Sequence, residues 1–333
     1  MFKYNMRRLA AITLGIATAG VFFSCSNDSI IERDSDNTGL SSKEKTSSRT
    51  ASLVPIVMNN WMSGLQDNIS ISKISIPGTH DSGARVDAPV VSGTAKTQDL
   101  SIAEQLNAGV RFLDIRCRHI DNSFTIHHGA IYQNLNFDDV LSACYAFLES
   151  HPSETIIMSV KEEYDASNTT RSFEQTFDSY VQKKPSRWDL GTTIPNLGEV
   201  RGKIKLLRRF SAGTAKGINA TSWADNTTFE INNPGASLKV QDYYKVTNND
   251  DKWNGISNLL NEAKNDTSGK LFVNFTSGYK PGIFGIPSIP TVSNSINPKL
   301  KTFFQTNTKG SYGVMPIDFV NAELSELIVK TNF

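Results

Sequence analysis

Short apolar runs that each stop at a polar or ring-bearing residue recur along this chain, and that pattern constrains its fold more than any other feature. "ISKISI" precedes His80, "GVRFLDIR" leads to Arg116, "FTIHH" to His128, "TIIMSVK" to Lys161, "KIKLLRR" to Arg209, "KLFVNF" to Phe275 and "GVMPID" to Asp318. Between several of them lie "NFDDVLSACYAFLES", "SFEQTFDSYVQKK" and "DKWNGISNLLNEAK", whose apolar positions recur at three and four residues, the spacing of amphipathic helices. Near-continuous apolar strands alternating with helices predict a parallel sheet covered on its outer face. From Val54 to Phe333 there is no second linker, repeat or low-complexity block, and these about 280 residues are slightly more than one α/β barrel usually needs. In such a barrel the strand ends open onto one face, where the following loops build a site. His80 and Asp81 stand where that site would form.

The 333 residues carry a formal net charge of +1 and a charged fraction of 20%, which fits a globular protein and leaves no electrostatic footprint for nucleic acid. Lys3, Arg7 and Arg8 precede an uncharged run from Leu9 to Phe23 that ends at Ser24 and Cys25. This reads as an export signal over residues 1–25, too short for the ~20 apolar residues of a membrane span. A small residue followed by cysteine resembles the lipobox of bacterial lipoproteins, although Phe22 and Phe23 are bulkier than its usual pattern. The resemblance implies that Cys25 is lipidated and that the exported protein is anchored to a bacterial cell-envelope membrane, the outer rather than the inner. The other reading is a secretory signal with an incidental cysteine. Residues 26–52 are rich in Ser, Asp and Lys and poor in apolar side chains, so they predict a flexible tether, with the folded domain over 53–333. The remaining cysteines, Cys117 and Cys144, either pair or serve as small buried hydrophobes, and they lack the spacing of metal ligands.

Two histidines at strand ends, His80 and one of the pair His127 and His128, each with an acidic residue available, suit general acid–base catalysis, because imidazole exchanges protons near neutral pH. Carboxylates beside the rings would fix their tautomers. Arg116, Lys161 and Arg209 add positive charge, and a guanidinium matches phosphate with planar paired hydrogen bonds. Acid, base and arginine together suggest phosphoryl transfer. His119, beside a turn, and His151, before Pro152, read as structural. Alternation sets His127 and His128 on opposite faces of their strand without deciding which of them faces the interior.

The segments "SIPGTHDSG", "GVRFLDIRCR", "IHHG", "HPSETIIMSVKEEY", "RGKIKLLRRFS", "VQDYYKV", "LFVNFTS" and "GVMPIDF" resemble, in order and spacing, the bacterial phosphatidylinositol-specific phospholipases C, over essentially the whole folded domain. The resemblance implies an irregular (β/α)8 TIM-type barrel that cleaves phosphatidylinositol, plain or as a glycosylated anchor. The products would be inositol 1,2-cyclic phosphate and diacylglycerol. It implies His80 as general base oriented by Asp318, and His128 as general acid supported by Asp81. Arg116 would hold the phosphate, and Lys161, Glu163, Arg209, Asp242 and Tyr244 the inositol ring. Glu162 is expected to be solvated or structural. No cofactor or metal is implied, because Arg116 supplies the charge that calcium supplies in metal-dependent relatives. The expected partners are an inositol phospholipid and a membrane surface, without nucleic acid, and a monomer is the default.

Two departures accompany the resemblance. Where several relatives carry a tryptophan-bearing interfacial segment, this chain has "ARVDAPVVSGTAKTQ", without an aromatic residue. The late loop "SGYKPGIFGIPSIPTVS" is apolar and contains Tyr279 and Phe284, so it reads either as another contact for lipid or as an internal loop of the barrel rim. Cys117 replaces a small glycine after the arginine and is expected to pack away from the pocket. The competing readings are a glycerophosphodiesterase-like barrel, which needs metal-binding acidic residues not evident here, and an inositol- or glycan-binding lipoprotein without turnover.

Overall fold

The structure, a computed structural model, describes residues 55–282 and 285–333. The expected export segment, the tether, Cys25 and Phe284 lie outside the described residues. Among the described residues the strands are β1 (Ile76–Thr79), β2 (Phe112–Ile120), β3 (Ser123–His128), β4 (Ile131–Asn136), β5 (Ile156–Glu162), β6 (Trp188–Asp189) and β7 (Ile204–Arg209). They continue with β8 (Ile218–Asn219), β9 (Thr228–Ile231), β10 (Leu238–Gln241), β11 (Leu271–Asn274), β12 (Lys280–Pro281), β13 (Pro287–Ser288) and β14 (Val314–Ile317). The helices are α1 (Ile102–Asn107), α2 (Phe137–Ser150), α3 (Phe173–Val181), α4 (Leu197–Val200), α5 (Asn249–Asn265), α6 (Ile289–Thr306) and α7 (Ala322–Lys330).

One sheet runs in the order β6-β7-β5-β2-β1-β14-β11-β10-β9. Every neighbouring pair from β6 to β10 along this path is parallel, and only β9 closes the edge antiparallel to β10. With helices on the outer face this is the expected irregular (β/α)8 barrel. It is not hydrogen-bonded all the way round, because β6 and β9 end the ladder. Asn233 bridges part of that seam, donating from Nδ2 to the Asn219 carbonyl at 2.8 Å.

The strands carry their side chains in register, and this alternation positions the site. Phe112, Ile157 and Lys205 are neighbours across β2, β5 and β7, as are Asp114, Ser159 and Leu207, and then Arg116, Lys161 and Arg209. Phe112, Ile157 and Leu207 join Ile76, Val273 and Val314 in one buried apolar cluster. The alternate residues Leu113, Ile115, Met158, Val160 and Leu206 join α2 and α3 in another. On β2 and β5 the inner face thus passes from apolar Phe112 and Ile157 through polar Asp114 and Ser159 to charged Arg116 and Lys161, as a period of two requires, whereas on β7 Lys205 and Leu207 precede Arg209. Gly78, paired with Phe112 on one side and Pro316 on the other, leaves that floor closed. A Cβ there would lie 3.0 Å from Phe112 Cβ and 3.2 Å from the Met315 carbonyl.

The predicted helices form where expected, and α3 is fixed by a reciprocal cap. Gln175 N–H donates to Ser172 Oγ, while Ser172 N–H donates to Gln175 Oε1. Two elements differ from the sequence pattern. The "FTIHH" run is no barrel strand: β3 pairs antiparallel with β2 and with β4, forming an arm beyond the barrel. Its apolar content covers α2 and α3 through Phe124 and Ile126. The second difference is α6, which begins inside the apolar late loop and contains Pro290 in its first turn and Pro298 in its interior. Those prolines hide a helix whose buried face is Ile289, Val292, Ile296, Leu300 and Phe304.

Candidate active site

A cleft of about 620 Å³ opens at the charged rim, and its lining includes His80, Arg116, His128, Lys161, Arg209, Asp242 and Tyr244. Each inward residue from a barrel strand lies two positions beyond the last apolar or polar layer of its strand, so one repeated backbone geometry delivers most of the set.

His80 follows β1 directly. Its Nδ1 lies 2.7 Å from Asp318 Oδ1, and its Nε2 lies 2.8 Å from an Arg116 terminal nitrogen. A guanidinium can only donate, so Nε2 is the unprotonated nitrogen and Nδ1 carries the proton toward the carboxylate. Nε2 of His80 is therefore held against Arg116 in the cleft while Nδ1 is held by Asp318 behind it. Asp318 follows β14, is 1% exposed, and accepts a further bond on Oδ2 from Gly278 N–H at 3.2 Å. Phe275 packs edge-on against the His80 ring at 6.0 Å between centroids.

Arg116 and Arg209 share a buried anchor. Asp114 lies two residues before Arg116 and so points the same way; it accepts from Arg116 Nε at 3.2 Å and from Ser159 Oγ at 3.1 Å. Burial alone would raise the Asp114 carboxyl, yet Arg116, Arg209 and His80 hold it well below the usual range. The ion pairs to Asp114, Asp81 and Glu163 likewise outweigh the cost of burying the Arg116 charge. Arg209 packs over the Trp223 ring at 3.7 Å, but its Nε and one terminal nitrogen are buried without a hydrogen-bond partner. That terminal nitrogen lies 3.6 Å from Asp114 Oδ1, an ion pair without a hydrogen bond.

The far side holds Lys161, Glu163, His128 and Asp81. Lys161 Nζ donates to Glu163 Oε2 at 2.9 Å, and Glu163 Oε1 accepts from Gly129 N–H at 3.0 Å. Burial opposes ionisation of Glu163, but Arg116 and Lys161 hold its carboxyl down at about 2. Gly129, at a φ of +54°, turns the chain so that this contact forms directly after His128. His128 Nδ1 meets the Ala95 carbonyl at 2.5 Å, and the Asp81 carboxyl is more distant at 3.8 Å. Asp81 is held in the left-handed region at a φ of +38°. Both its carboxyl oxygens are buried without a hydrogen-bond partner. That burial pushes the carboxyl up to about 7, against the pull of Arg116 and His80. Burial and the charge of Arg116 together lower the pKa of His128.

On the opposite wall Trp223 Nε1 donates to Asp242 Oδ2 at 2.9 Å, and the Tyr244 hydroxyl donates to Asp225 Oδ1 at 2.6 Å. All ten residues singled out from the sequence thus lie in or directly behind one cleft, with Asp81, Glu163 and Asp318 forming its buried backing. Sequence reasoning missed Asp114, Trp223, Asp225 and Ala95. Asp114 was within reach, since alternation from Arg116 places it on the inner face. Trp223, Asp225 and Ala95 sit in loops where no periodicity marks them.

The remaining histidines do not join the cleft. His127 is buried against Tyr132, on the face opposite His128; His119 pairs with Thr176 Oγ1 at 2.9 Å; and His151 stacks on Phe147. Cys117 and Cys144 are free, buried thiols, and both belong to the outer apolar cluster.

Residues 74–210 match the family model described as phosphatidylinositol-specific phospholipase C, X domain. The chain is 38% identical over 275 residues to the 1-phosphatidylinositol phosphodiesterase of Staphylococcus aureus strain Newman, covering 78% of this chain and 88% of that one. It is 28% identical over 287 residues to the protein of the same name from Listeria monocytogenes, covering 83% and 86%. A solved structure of the Staphylococcus aureus phosphatidylinositol-specific phospholipase C superposes with a TM-score of 0.75 at 35% identity, over 83% of this chain and 98% of the other. At 38% identity to one such relative, over 78% of this chain and 88% of that one, the chain belongs to the bacterial phosphatidylinositol-specific phospholipases C.

Proposed function

We propose that this protein cleaves phosphatidylinositol without a metal ion, by attack of the inositol 2-hydroxyl on the neighbouring phosphorus. A new O–P bond closes inositol 1,2-cyclic phosphate as the bond to the diacylglycerol oxygen breaks. The attacking hydroxyl is part of the same molecule, so the site has only to align it and move two protons. The observation that carries this reading is the pairing of one imidazole whose unprotonated nitrogen is held against Arg116 in the cleft with a second imidazole whose pKa is lowered by burial and Arg116. His80 accepts the hydroxyl proton and Asp318 stabilises the resulting imidazolium. His128, with Asp81 at its side, returns a proton to the departing alkoxide. Arg116 lies against His80 Nε2 at 2.8 Å, close enough to pass from that nitrogen to the phosphate when substrate enters. Lys161, Glu163, Arg209, Asp242 and Tyr244 hold the inositol ring. Their alternating donors and acceptors suit adjacent hydroxyls, and Trp223 and Asp225 complete that wall.

The substrate source is a membrane surface. Val90 is 92% exposed and Ile286 is 42% exposed. They neighbour the cleft-lining Thr94, Gly285 and Pro287, and the two loops are joined by Ile289 N–H donating to the Gly93 carbonyl at 2.9 Å. Export, lipidation at Cys25 and a tether over 26–52 would hold the barrel over 53–333 beside that surface as a monomer. The test is phosphorus NMR of the protein with phosphatidylinositol micelles and chelator. A transient cyclic phosphodiester signal, absent in His80→Ala, is the expected outcome. Binding of phosphatidylinositol by well-folded protein without turnover would overturn it in favour of a binding protein, and dependence on a metal would favour a glycerophosphodiesterase-like reaction.

A further inference from the structure

The two histidines are oriented by different chemistry. His80 meets a carboxylate directly, whereas the nearest acceptor of His128 Nδ1 is a backbone carbonyl, that of Ala95. A carbonyl can only accept, so Nδ1 of His128 carries its proton and the other ring nitrogen is the one left to exchange protons in the cleft. Everything then depends on what holds Ala95. The residues from Gly83 to Ser101 between β1 and α1 contain no regular element, so no helix or strand ladder fixes that carbonyl.

Asp87 does so instead. Its Oδ1 accepts from the backbone N–H groups of Thr94 at 3.0 Å, Ala95 at 2.9 Å and Lys96 at 3.3 Å, and its Oδ2 from Ser92 Oγ at 3.1 Å and from Gly93 N–H. These converging donors outweigh partial burial and keep the carboxyl ionised well below the usual range. The loop is tied to the barrel on both sides: Gly93 accepts from Ile289 N–H, and Thr97 accepts from Phe319 N–H at 2.7 Å, next to Asp318. The peptide group between Ala95 and Lys96 occupies the junction. Its N–H donates to Asp87 and its C=O accepts from His128. Hydrogen bonds in series polarise one another, so the carboxylate makes that carbonyl a better acceptor.

We propose that Asp87 is a positioning residue for His128, acting as the carboxylate partner of the imidazole through one intervening peptide group. This rests on the reading of His128 as the general acid, and it assigns to a loop without aromatic residues the task of orienting that acid.

The test exploits leaving-group chemistry. A diacylglycerol alkoxide needs a proton to depart, whereas a nitrophenolate does not, so a defect confined to the acid is visible with the first substrate and not with the second. Asp87→Asn preserves shape and removes the charge. Its turnover of phosphatidylinositol is expected to fall roughly ten- to a hundredfold, the range seen when groups that orient a functional imidazole are lost. Turnover of inositol nitrophenyl phosphate should stay within about twofold of the parent, since that step draws on His80 and Arg116 alone. His128→Ala, measured in parallel, should show the same selectivity more strongly. An equal fall for both substrates in Asp87→Asn, with His128→Ala still selective, would overturn the proposal while leaving the acid assignment intact. Loss of selectivity in His128→Ala would overturn the acid assignment, and the proposal with it. Nitrogen NMR of the unmodified protein gives a check that needs no variant: an unprotonated Nδ1 on His128 would also sink the idea.

Discussion

His80 and His128 face one cleft, yet the chain surrounds them in opposite ways. The first has a buried carboxylate on one nitrogen and a guanidinium donating to the other. The second has a carbonyl on one nitrogen, a carboxyl at 3.8 Å that is itself pushed up to about 7, and a pKa lowered by burial and Arg116. A base gains from an ionised neighbour that stabilises the cation it becomes. An acid gains from surroundings that hold its proton less tightly, provided the proton is there when needed. In the proposed reaction the phosphate of a bound substrate would bring negative charge next to His128 and so favour its protonation when the proton is needed. One fold thus tunes two chemically identical rings apart by what it places behind them.

The largest effect should come from removing the base. His80→Ala is expected to slow cleavage roughly 10²- to 10⁴-fold, and equally for phosphatidylinositol and for inositol nitrophenyl phosphate, because every leaving group requires the 2-hydroxyl to lose its proton. Retained activity on the nitrophenyl ester would erase the contrast between the two rings. Next comes Arg116→Lys, which keeps the charge but loses the planar fork shared between His80 and Asp114. A loss in kcat of about 10²- to 10³-fold is expected, as for a preorganised donor facing transition-state charge. Steady-state kinetics with an unchanged KM would support a transition-state role, whereas a rise in KM alone would reduce Arg116 to substrate binding. Asp318→Asn should be milder, roughly ten- to a hundredfold. The fall should be the same for phosphatidylinositol and for inositol nitrophenyl phosphate, because Asp318 acts through His80. A fall with the lipid alone would mean that Asp318 does not act on His80.

How far this contrast could be read from sequence follows from backbone periodicity. Arg116, Lys161, Arg209 and Asp318 stand at the ends of apolar runs, and a period of two carries them inward, so barrel and cleft rim were legible together. Asp114 obeys the same rule and was overlooked only because it lies inside its run. Ala95 and Asp87 were out of reach: their part is played by a backbone carbonyl and a fan of N–H groups, which leave no mark in residue type or spacing. The "FTIHH" run shows the converse. It has a strand's composition, but β3 turns back on β2 instead of entering the barrel, and short apolar runs do not encode pairing direction. In α6 the prolines at 290 and 298 masked a helical period that tertiary burial of Ile296, Leu300 and Phe304 sustains.

The smallest expected effect concerns stability and probes the carboxyl behind His128. Asp81 in the folded protein keeps its proton up to about pH 7, whereas the unfolded chain releases it near the ordinary 3.8. Between those values the folded state binds the additional proton, so this group's contribution to stability is fully present below the lower value and is lost as pH rises through the upper one. Asp81→Asn does not titrate and escapes that loss. The full linkage of such a shift is on the order of 4 kcal/mol. Water drawn in around an ionised carboxylate reduces it, so a gain on the order of 1–2 kcal/mol, a few degrees in Tm, is expected above about pH 8. Near about pH 4 the two proteins should melt together. The same substitution should lower turnover of phosphatidylinositol above about pH 7, because a neutral amide cannot become the charged neighbour of His128 that an ionised Asp81 is. A variant that is more stable in alkali and slower on its lipid would mean that the buried, unbonded carboxyl is retained for chemistry at the expense of the fold. Equal Tm differences at both pH values would show instead that Asp81 is ionised throughout, and that His128 has an ordinary charged neighbour after all.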